Sequence, residues 1–191
     1  MLLPPAEEHT LIDPTVLSVR QSRDDDVPAF QAIYAHHVRH GTASFETEPP
    51  DLAEMRHRRQ AVLAKGFPHL AVEYQGTLAG YAYASTYRPR AAYGDTVENS
   101  IYLHPELTGR GIGRPLLEAL IVACEERDFR QMIAVIGDSA HVASVRLHER
   151  CGFRMVGVLR DVGWKHGRWL DTVVLQRALG RGNGAPPSVR G

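Results

Sequence analysis

The segment HPELTGRGIGRPLLEALI, residues 104–121, most constrains what this chain can fold into. It places Gly109, Gly111 and Gly113 just before an amphipathic helical repeat, although glycine inside a helix costs roughly 1 kcal/mol relative to alanine. A helix N-terminus carries unpaired N–H groups and a partial positive charge, and Arg110 and Arg114 add full charges there. Glycines let a bulky anion approach this backbone, so the segment predicts a pyrophosphate site. The glycine spacing alone is equally compatible with a plain strand-to-helix turn, since it matches neither GxxxxGK(S/T) nor GxGxxG.

Strand and helix patterns alternate along the chain. Strands are predicted at 16–20 and 96–105, in the hairpin HLAVEY and LAGYAYAS, at 132–136, and in FRMVGVLRDVG and RWLDTVVLQRA. Helices are predicted from Asp24–Asp26 through Val38, from Asp51 through Leu63, from the glycine segment to about Asp128, and from about Ser139 to Arg150, where Gly152 ends the helix. This order predicts one α/β (α+β) domain over residues 16–179, between Pro- and Gly-rich ends at 1–15 and 180–191 that we expect to be disordered.

The composition argues against several classes of function. Lys plus Arg and Asp plus Glu each number 22, and this balance disfavours a nucleic-acid partner. No apolar run approaches the ~20 residues that span a bilayer, so we expect no membrane partner. Two cysteines without a CxxC motif indicate a reducing cytoplasm and no structural zinc. His36 and His40 have a spacing that can bind zinc, but the sequence shows no third ligand, so no metal is expected.

Glu98 stands out in the predicted strand TVENSIYL. Strand alternation puts Val97, Asn99 and Ile101 on one face and Glu98 with its polar neighbours on the other. If Glu98 is buried, its pKa rises toward the range of a general base. From the alternation alone, a solvated glutamate is the favoured interpretation.

Two further groups of residues draw attention by their spacing. His141 and His148 are seven residues apart, so a helix places both on one side. Arg88 and Arg90 precede Tyr93 and can form a fork for oxyanions, although a solvated loop explains them equally simply.

The strand, glycine loop and helix resemble the acyl-CoA signature R/Q-x-x-G-x-G/A of the GNAT N-acetyltransferases, with Thr108 in place of the usual Arg or Gln. The segments TASFETEPP, YRPRAAYGDTVENSIYLHPE, AVIGDSAHVASVRLHERCGF and GWKHGRWLDTVVLQR resemble the phosphinothricin and methionine sulfoximine acetyltransferase branch of that family. The resemblance covers about residues 16–178 and implies the GNAT fold, a mixed central sheet flanked by helices.

The resemblance also implies the chemistry, an acetyl transfer from acetyl-CoA to an amine without a metal. Glu98 would be the base, acting directly or through water, and His148 the acid that protonates the thiolate. The backbone of Ile101, Tyr102 and Leu103 would pair with the pantetheine arm. The cofactor's pyrophosphate would lie on the loop of Thr108, Gly109, Arg110, Gly111, Ile112, Gly113 and Arg114. His141 stands where the family usually has an asparagine that binds the cofactor arm.

On the acceptor side, the resemblance implies that Arg88, Arg90, Tyr93, Phe45 and Glu98 contact a small amino-acid analogue such as phosphinothricin, methionine sulfoximine or its sulfone. A homodimer is expected because relatives often form one. Lys165, His166 and Trp169 either close the pocket or contact a partner subunit. Two alternatives stay open: acetyl transfer to another amine or a protein N-terminus, and a non-catalytic sensor that binds acyl-CoA.

Overall fold

The computed structural model of the protein describes residues 16–186, which form a seven-stranded sheet and four α-helices. The predicted N-terminal extension, residues 1–15, and residues 187–191 of the predicted tail lie outside the described residues. The strands are β1 (Leu17–Gln21), β2 (His69–Tyr74), β3 (Thr77–Thr86), β4 (Thr96–Leu103), β5 (Gln131–Gly137), β6 (Arg154–Lys165) and β7 (Arg168–Ala178). The helices are α1 (Val27–His40), α2 (Leu52–Ala64), α3 (Gly113–Glu125) and α4 (Val142–Arg150). No helix in this part of the chain is long and apolar enough to cross a bilayer.

The sheet is mixed and has the order β1-β2-β3-β4-β5-β7-β6. Its neighbouring strands are antiparallel except β4 and β5, which are parallel. Helices α1 and α2 cover one face, where Phe30 and Met55 pack against Tyr81. Helix α3 buries Leu116 and Leu117 on the other face, and α4 lies beside it. The sheet with helices on both faces confirms the predicted mixed architecture.

The helix ends follow their sequence signals. Asp51 caps α2, since its Oδ1 accepts a hydrogen bond of 2.8 Å from the Glu54 N–H. Gly152 follows α4 with φ = +83°, a left-handed conformation that glycine adopts without strain. Helix α4 begins at Val142, slightly after the predicted start at about Ser139. The Asp138 side chain accepts from the Ala140 N–H at 2.9 Å and stabilises a turn there instead.

The parallel strands β4 and β5 separate halfway along their length. They pair from Thr96 opposite Gln131 to Asn99 opposite Ala134. Beyond that point β4 stays paired with β3, and β5 stays paired with β7. The N–H and C=O groups of residues 100–103 that point toward β5 therefore lie beside a gap in the sheet.

Residues 180–186, the first part of the predicted disordered tail, form turns next to the start of β5. The Leu179 N–H donates to the Arg130 carbonyl at 2.9 Å, and Arg130 Nη2 donates to the Pro186 carbonyl at 3.3 Å. This stretch lies at the end of β5 opposite the gap.

Candidate active site

A cavity of about 310 Å³ fills the gap between β4 and β5. Its walls are residues 43–45, 98–102 and 134–137, together with His141, Ser144, His148 and Thr172. Side chains of neighbouring β4 residues point to opposite faces of the sheet, and both sets line the cavity. The cavity therefore connects the face covered by α1 and α2 with the face covered by α3 and α4.

Glu98 lies in the cavity wall on the α1 side of β4. Its partial burial raises the pKa of its carboxyl group above the ordinary value, because the charged form loses solvation. A carboxylate with a raised pKa accepts a proton more readily from a substrate amine near neutral pH. The position fits the predicted base, and the catalytic role itself stays a prediction.

His148 is buried on α4, and both of its ring nitrogens have partners. Nδ1 is 2.8 Å from the carbonyl oxygen of Ser144, and Nε2 is 2.9 Å from the amide nitrogen of Asn99. A carbonyl only accepts, so Nδ1 carries the proton; an amide N–H₂ only donates, so Nε2 accepts through its lone pair. Burial lowers the pKa of His148, which agrees with a neutral ring.

This neutral tautomer bears on the predicted acid. Nε2 has no proton to give while it accepts from Asn99, so protonation of a thiolate by His148 requires a change of hydrogen bonding first. The acid role stays a prediction. Asn99 is a site residue that the sequence analysis did not identify, and its signal is a polar side chain among the core-facing positions Val97 and Ile101 of β4.

The three residues of β4 predicted to pair with pantetheine do not all line the cavity. Ile101 and Tyr102 line the cavity, and the pairing of their backbone with pantetheine stays a prediction. The Leu103 side chain packs in the apolar core, and its carbonyl accepts a 2.8 Å hydrogen bond from His37 Nε2 on α1. Burial lowers the pKa of His37, so the neutral ring that makes this bond is favoured. His37 was not identified from sequence, and it ties the end of β4 to α1.

The predicted pyrophosphate loop follows the C-terminal end of β4 through a short 3₁₀ turn, Pro105–Leu107. Gly109 and Gly111 have φ angles of +76° and +79°, which only glycine adopts without strain. A Cβ built at Gly109 would meet nothing within 4 Å, so the backbone there lies in open space. These observations fit a loop whose main chain a large anion can approach.

Side chains of the same loop are mostly engaged elsewhere. Thr108 Oγ1 donates to the Pro105 carbonyl at 2.9 Å, and Ile112 is buried in the core. Arg114 Nε lies 2.8 Å from Glu118 Oε1, on the exposed side of α3. Backbone amides and the exposed Arg110 therefore remain as the means by which this loop would hold a phosphate.

His141 occupies the position just before α4 rather than a place within the helix. Its side chain nevertheless lines the cavity together with His148. Burial lowers the pKa of His141, and the nearby Asp138 partly opposes this effect. A neutral imidazole here offers the cavity one donor and one acceptor.

The predicted acceptor residues are not all brought together. Phe45 and Glu98 line the cavity, whereas its lining does not include Arg88, Arg90 or Tyr93. The Arg88 guanidinium lies 5.2 Å from the Tyr87 ring centroid and 5.6 Å from that of Tyr93, on an exposed loop at the start of β4. Acceptor binding by this loop stays a prediction.

The Lys-His-Gly-Arg turn between β6 and β7 contacts residues 41–44, part of which line the cavity. Lys165 is buried, and its Nζ donates to the Ser44 carbonyl at 2.6 Å. His166 Nε2 lies 3.1 Å from the Gly41 carbonyl. Trp169 is exposed on β7 and contacts Trp164 edge-on, with ring centroids 5.3 Å apart. Lys165 and His166 thus support the pocket wall, while Trp169 lies on the outer surface.

Cys124 is no candidate for a covalent nucleophile. It lies on the core-facing side of α3 and is fully buried, and burial raises the pKa of its thiol to about 12. In addition, residues 16–186 hold no group of three His, Cys, Asp or Glu side chains that could bind a metal ion.

Comparison with known proteins gives consistent matches. The model of the Acetyltransferase (GNAT) family matches residues 30–153. Phosphinothricin N-acetyltransferase of Alcaligenes faecalis is 55% identical over 170 residues, which cover 89% of this chain and 86% of that protein. An L-methionine sulfoximine/L-methionine sulfone acetyltransferase of Pseudomonas aeruginosa is 36% identical, covering 88% of this chain and 98% of that protein. The crystal structure of a GNAT superfamily phosphinothricin acetyltransferase from Sinorhizobium meliloti, in complex with acetyl-CoA, superposes with a TM-score of 0.87 at 42% identity and covers 91% of this chain and 94% of that one.

Proposed function

The chain belongs to the GNAT family of acetyltransferases, and we propose that it acetylates the α-amine of a small amino-acid analogue of the phosphinothricin, methionine sulfoximine or methionine sulfone type. The observation that carries this proposal is the cavity in the β4–β5 gap, with Glu98 in its wall, together with the glycine loop that follows the C-terminal end of β4. A relative that is 55% identical over most of its length is named for the same reaction on phosphinothricin.

The residues present fit acetyl-CoA, which supplies the activated acetyl thioester when bound. Backbone groups of Ile101 and Tyr102 beside the gap would hold the pantetheine arm. The amides from Gly109 to Gly113, at the positive end of the α3 dipole, would hold the pyrophosphate. His141 contributes a neutral donor from the opposite wall.

Glu98 deprotonates the acceptor ammonium in this proposal. An ammonium has no lone pair for attack, so the amine must lose its proton before it reaches the thioester carbon. Glu98 lies on the α1 side of the gap, so the acceptor enters on that side and the cofactor arm on the α4 side. The amine attacks directly, which agrees with the buried, protonated thiol of Cys124.

Thiol release from acetyl-CoA, followed with a disulfide dye, tests the proposal. We expect release with L-phosphinothricin, L-methionine sulfoximine and L-methionine sulfone, and none with a polyamine. Release with the polyamine alone would refute the proposed class of acceptor and would leave the assignment of the GNAT fold unchanged. No release with any acceptor, while acetyl-CoA still raises the melting temperature, would favour a binding protein without catalysis.

The subunit arrangement and compartment form part of the same proposal. Strand β6 is an edge of the sheet. On the β6–β7 hairpin, six apolar residues are each more than half exposed: Met155, Val156, Leu159, Val162, Trp164 and Trp169. An apolar edge of this kind fits a homodimer contact. Light scattering should give a dimer that Trp164→Glu dissociates and that Leu52→Glu, on exposed α2, leaves intact. Two buried free cysteines fit a reducing cytoplasm.

A further inference from the structure

The segment after α1 crosses the cavity on the α1 side of the sheet. We call residues 41–46 the strap. Lys165 Nζ donates to its Ser44 carbonyl at 2.6 Å, and His166 Nε2 lies 3.1 Å from its Gly41 carbonyl. The Tyr34 hydroxyl, on α1, is 2.8 Å from Ser44 Oγ. The strap has no regular secondary structure, yet side chains from α1 and from the β6–β7 hairpin hold it in place.

The Phe45 ring of the strap occupies a slot between two glycines. A Cβ built at Gly137, the last residue of β5, would meet the Thr42 carbonyl oxygen of the strap backbone first and would also lie 2.7 Å from Phe45 Cε1. A Cβ built at Gly163, on β6, would lie 2.5 Å from Cδ2 on the opposite edge of the ring. Both distances are shorter than a Cβ contact allows. A side chain at Gly163 therefore displaces the Phe45 ring alone, whereas one at Gly137 displaces the strap backbone at Thr42 together with the ring.

The same ring forms part of the cavity wall. Phe45 is 38% exposed, so the ring is held by the slot on its two edges while part of its surface remains accessible. Gly137 lines the cavity as well, whereas Gly163 is not among its lining residues and contacts the Phe45 ring instead. Since the Phe45 ring and Glu98 line the same cavity, the width of the slot affects how far the ring extends into the cavity that contains Glu98.

We infer that Gly137 and Gly163 are positioning residues, and that the Phe45 ring they hold sets the upper size limit for the side chain of the acceptor. This inference rests on the proposed function, because it takes the α1 side of the gap as the acceptor side. A wall of this kind excludes larger analogues by steric overlap, and one methylene in such a pocket changes kcat/KM by about 10-fold to 200-fold.

Steady-state kinetics on two acceptors that differ by one methylene, L-methionine sulfone and L-ethionine sulfone, tests the inference. Phe45→Ala should raise the kcat/KM ratio of the ethyl to the methyl compound about tenfold or more. Gly163→Ala should push the ring inward, raise the KM of both acceptors, and leave the KM of acetyl-CoA unchanged. Gly157→Ala is the matched control, since Gly157 is on the same strand and a Cβ there meets nothing within 4 Å.

The double variant separates positioning from general damage. In the Phe45→Ala background, Gly163→Ala should no longer change the acceptor KM, because the ring that it displaces is absent. An equal effect of Gly163→Ala in both backgrounds would overturn the inference, as would an unchanged acceptor KM in the single variant.

A double-mutant cycle of melting temperatures tests the slot without an acceptor. Its four proteins are the native chain, Phe45→Ala, Gly163→Ala and the double variant. Gly163→Ala should lower the melting temperature by several degrees when Phe45 is present and hardly at all when it is alanine. If neither sulfone is acetylated but the cycle shows this coupling, the proposed acceptor is wrong and the slot stands. If the sulfones are acetylated and the cycle shows no coupling, the slot is wrong and the proposed function stands.

Discussion

Replacing Asn99 by leucine tests the hydrogen bonding of His148. The two side chains are buried, with 6% and 2% of their surfaces exposed, and they are joined by the 2.9 Å contact between the amide nitrogen and Nε2. Leucine has a similar volume and no donor, so the variant leaves Nε2 buried without a partner. That loss costs about 1–3 kcal/mol. At about 2–4 °C per kcal/mol for a chain of this size, the melting temperature should fall by roughly 2–12 °C.

The same substitution should move the titration of His148. The amide N–H bonds only the neutral ring, so its removal takes away stabilisation of the neutral form and the pKa of His148 rises from its lowered value toward the ordinary one. Each 1.4 kcal/mol corresponds to about one pH unit. Nitrogen NMR of the imidazole between pH 5 and pH 8 follows both the tautomer and the titration.

In the native protein, the NMR spectra should show a proton on Nδ1 and none on Nε2 near neutral pH. A proton on Nε2 would refute the tautomer assignment, and it would supply the acid that the family resemblance implies for His148. A control, Asn183→Leu in an exposed turn, should change neither the melting temperature nor the His148 signals.

Three further perturbations test other parts of the structure. Glu98→Gln should lower kcat/KM about 10²-fold to 10⁴-fold, while the affinity for acetyl-CoA measured by calorimetry stays unchanged. The variant should also lose the rise of activity that the native enzyme shows as the pH passes the raised pKa of Glu98. Unchanged turnover would show that Glu98 is not the base. His69 is buried, and its pKa is lowered to about 3, whereas the pKa in the unfolded chain is about 6.5. Below pH 6.5 the unfolded chain therefore binds a proton that the folded protein does not, and the free energy of unfolding decreases as the pH falls toward 3. His69→Phe should flatten that loss in urea titrations, and identical pH slopes would contradict the argument. Gly80→Ala would put a Cβ 2.6 Å from the Tyr102 carbonyl, so it should shift β4 and weaken acetyl-CoA binding in calorimetry. Gly157→Ala, where a Cβ meets nothing within 4 Å, should leave the affinity unchanged, and equal affinities for the two variants would show that β4 tolerates the shift.

The local structure of the segment proposed to hold the cofactor could be predicted from sequence because its determinants are local. A strand, a turn with glycines of positive φ and a helix N-terminus follow one another within residues 96–125. In the proposed function backbone groups hold the cofactor there, so the element pattern is nearly sufficient to predict that part of the structure. Strand alternation alone favoured a solvated Glu98, and only the family resemblance pointed to the site; the structure places Glu98 in the cavity wall.

The hydrogen bonding inside the cavity was not predictable in the same way. Asn99 and His148 are 49 residues apart, and the bond between them exists only because α4 packs over β4. The tautomer of His148 depends on this contact and on the Ser144 carbonyl. Sequence reasoning could identify His148 as a candidate, but it could not determine which of its nitrogens carries the proton.

The proposed acceptor side of the cavity is built almost entirely from contacts between distant segments, so its specificity is the hardest property to derive from sequence. Phe45 takes its position from Gly137 and Gly163, and the strap takes its course from Lys165. A glycine in a strand usually indicates a bulge or a close approach of backbone, and nothing in its sequence neighbourhood says that a ring from another segment fills the space. A relative that kept Glu98 and the glycine loop but carried a side chain at either slot position would therefore keep the chemistry and change its range of acceptors.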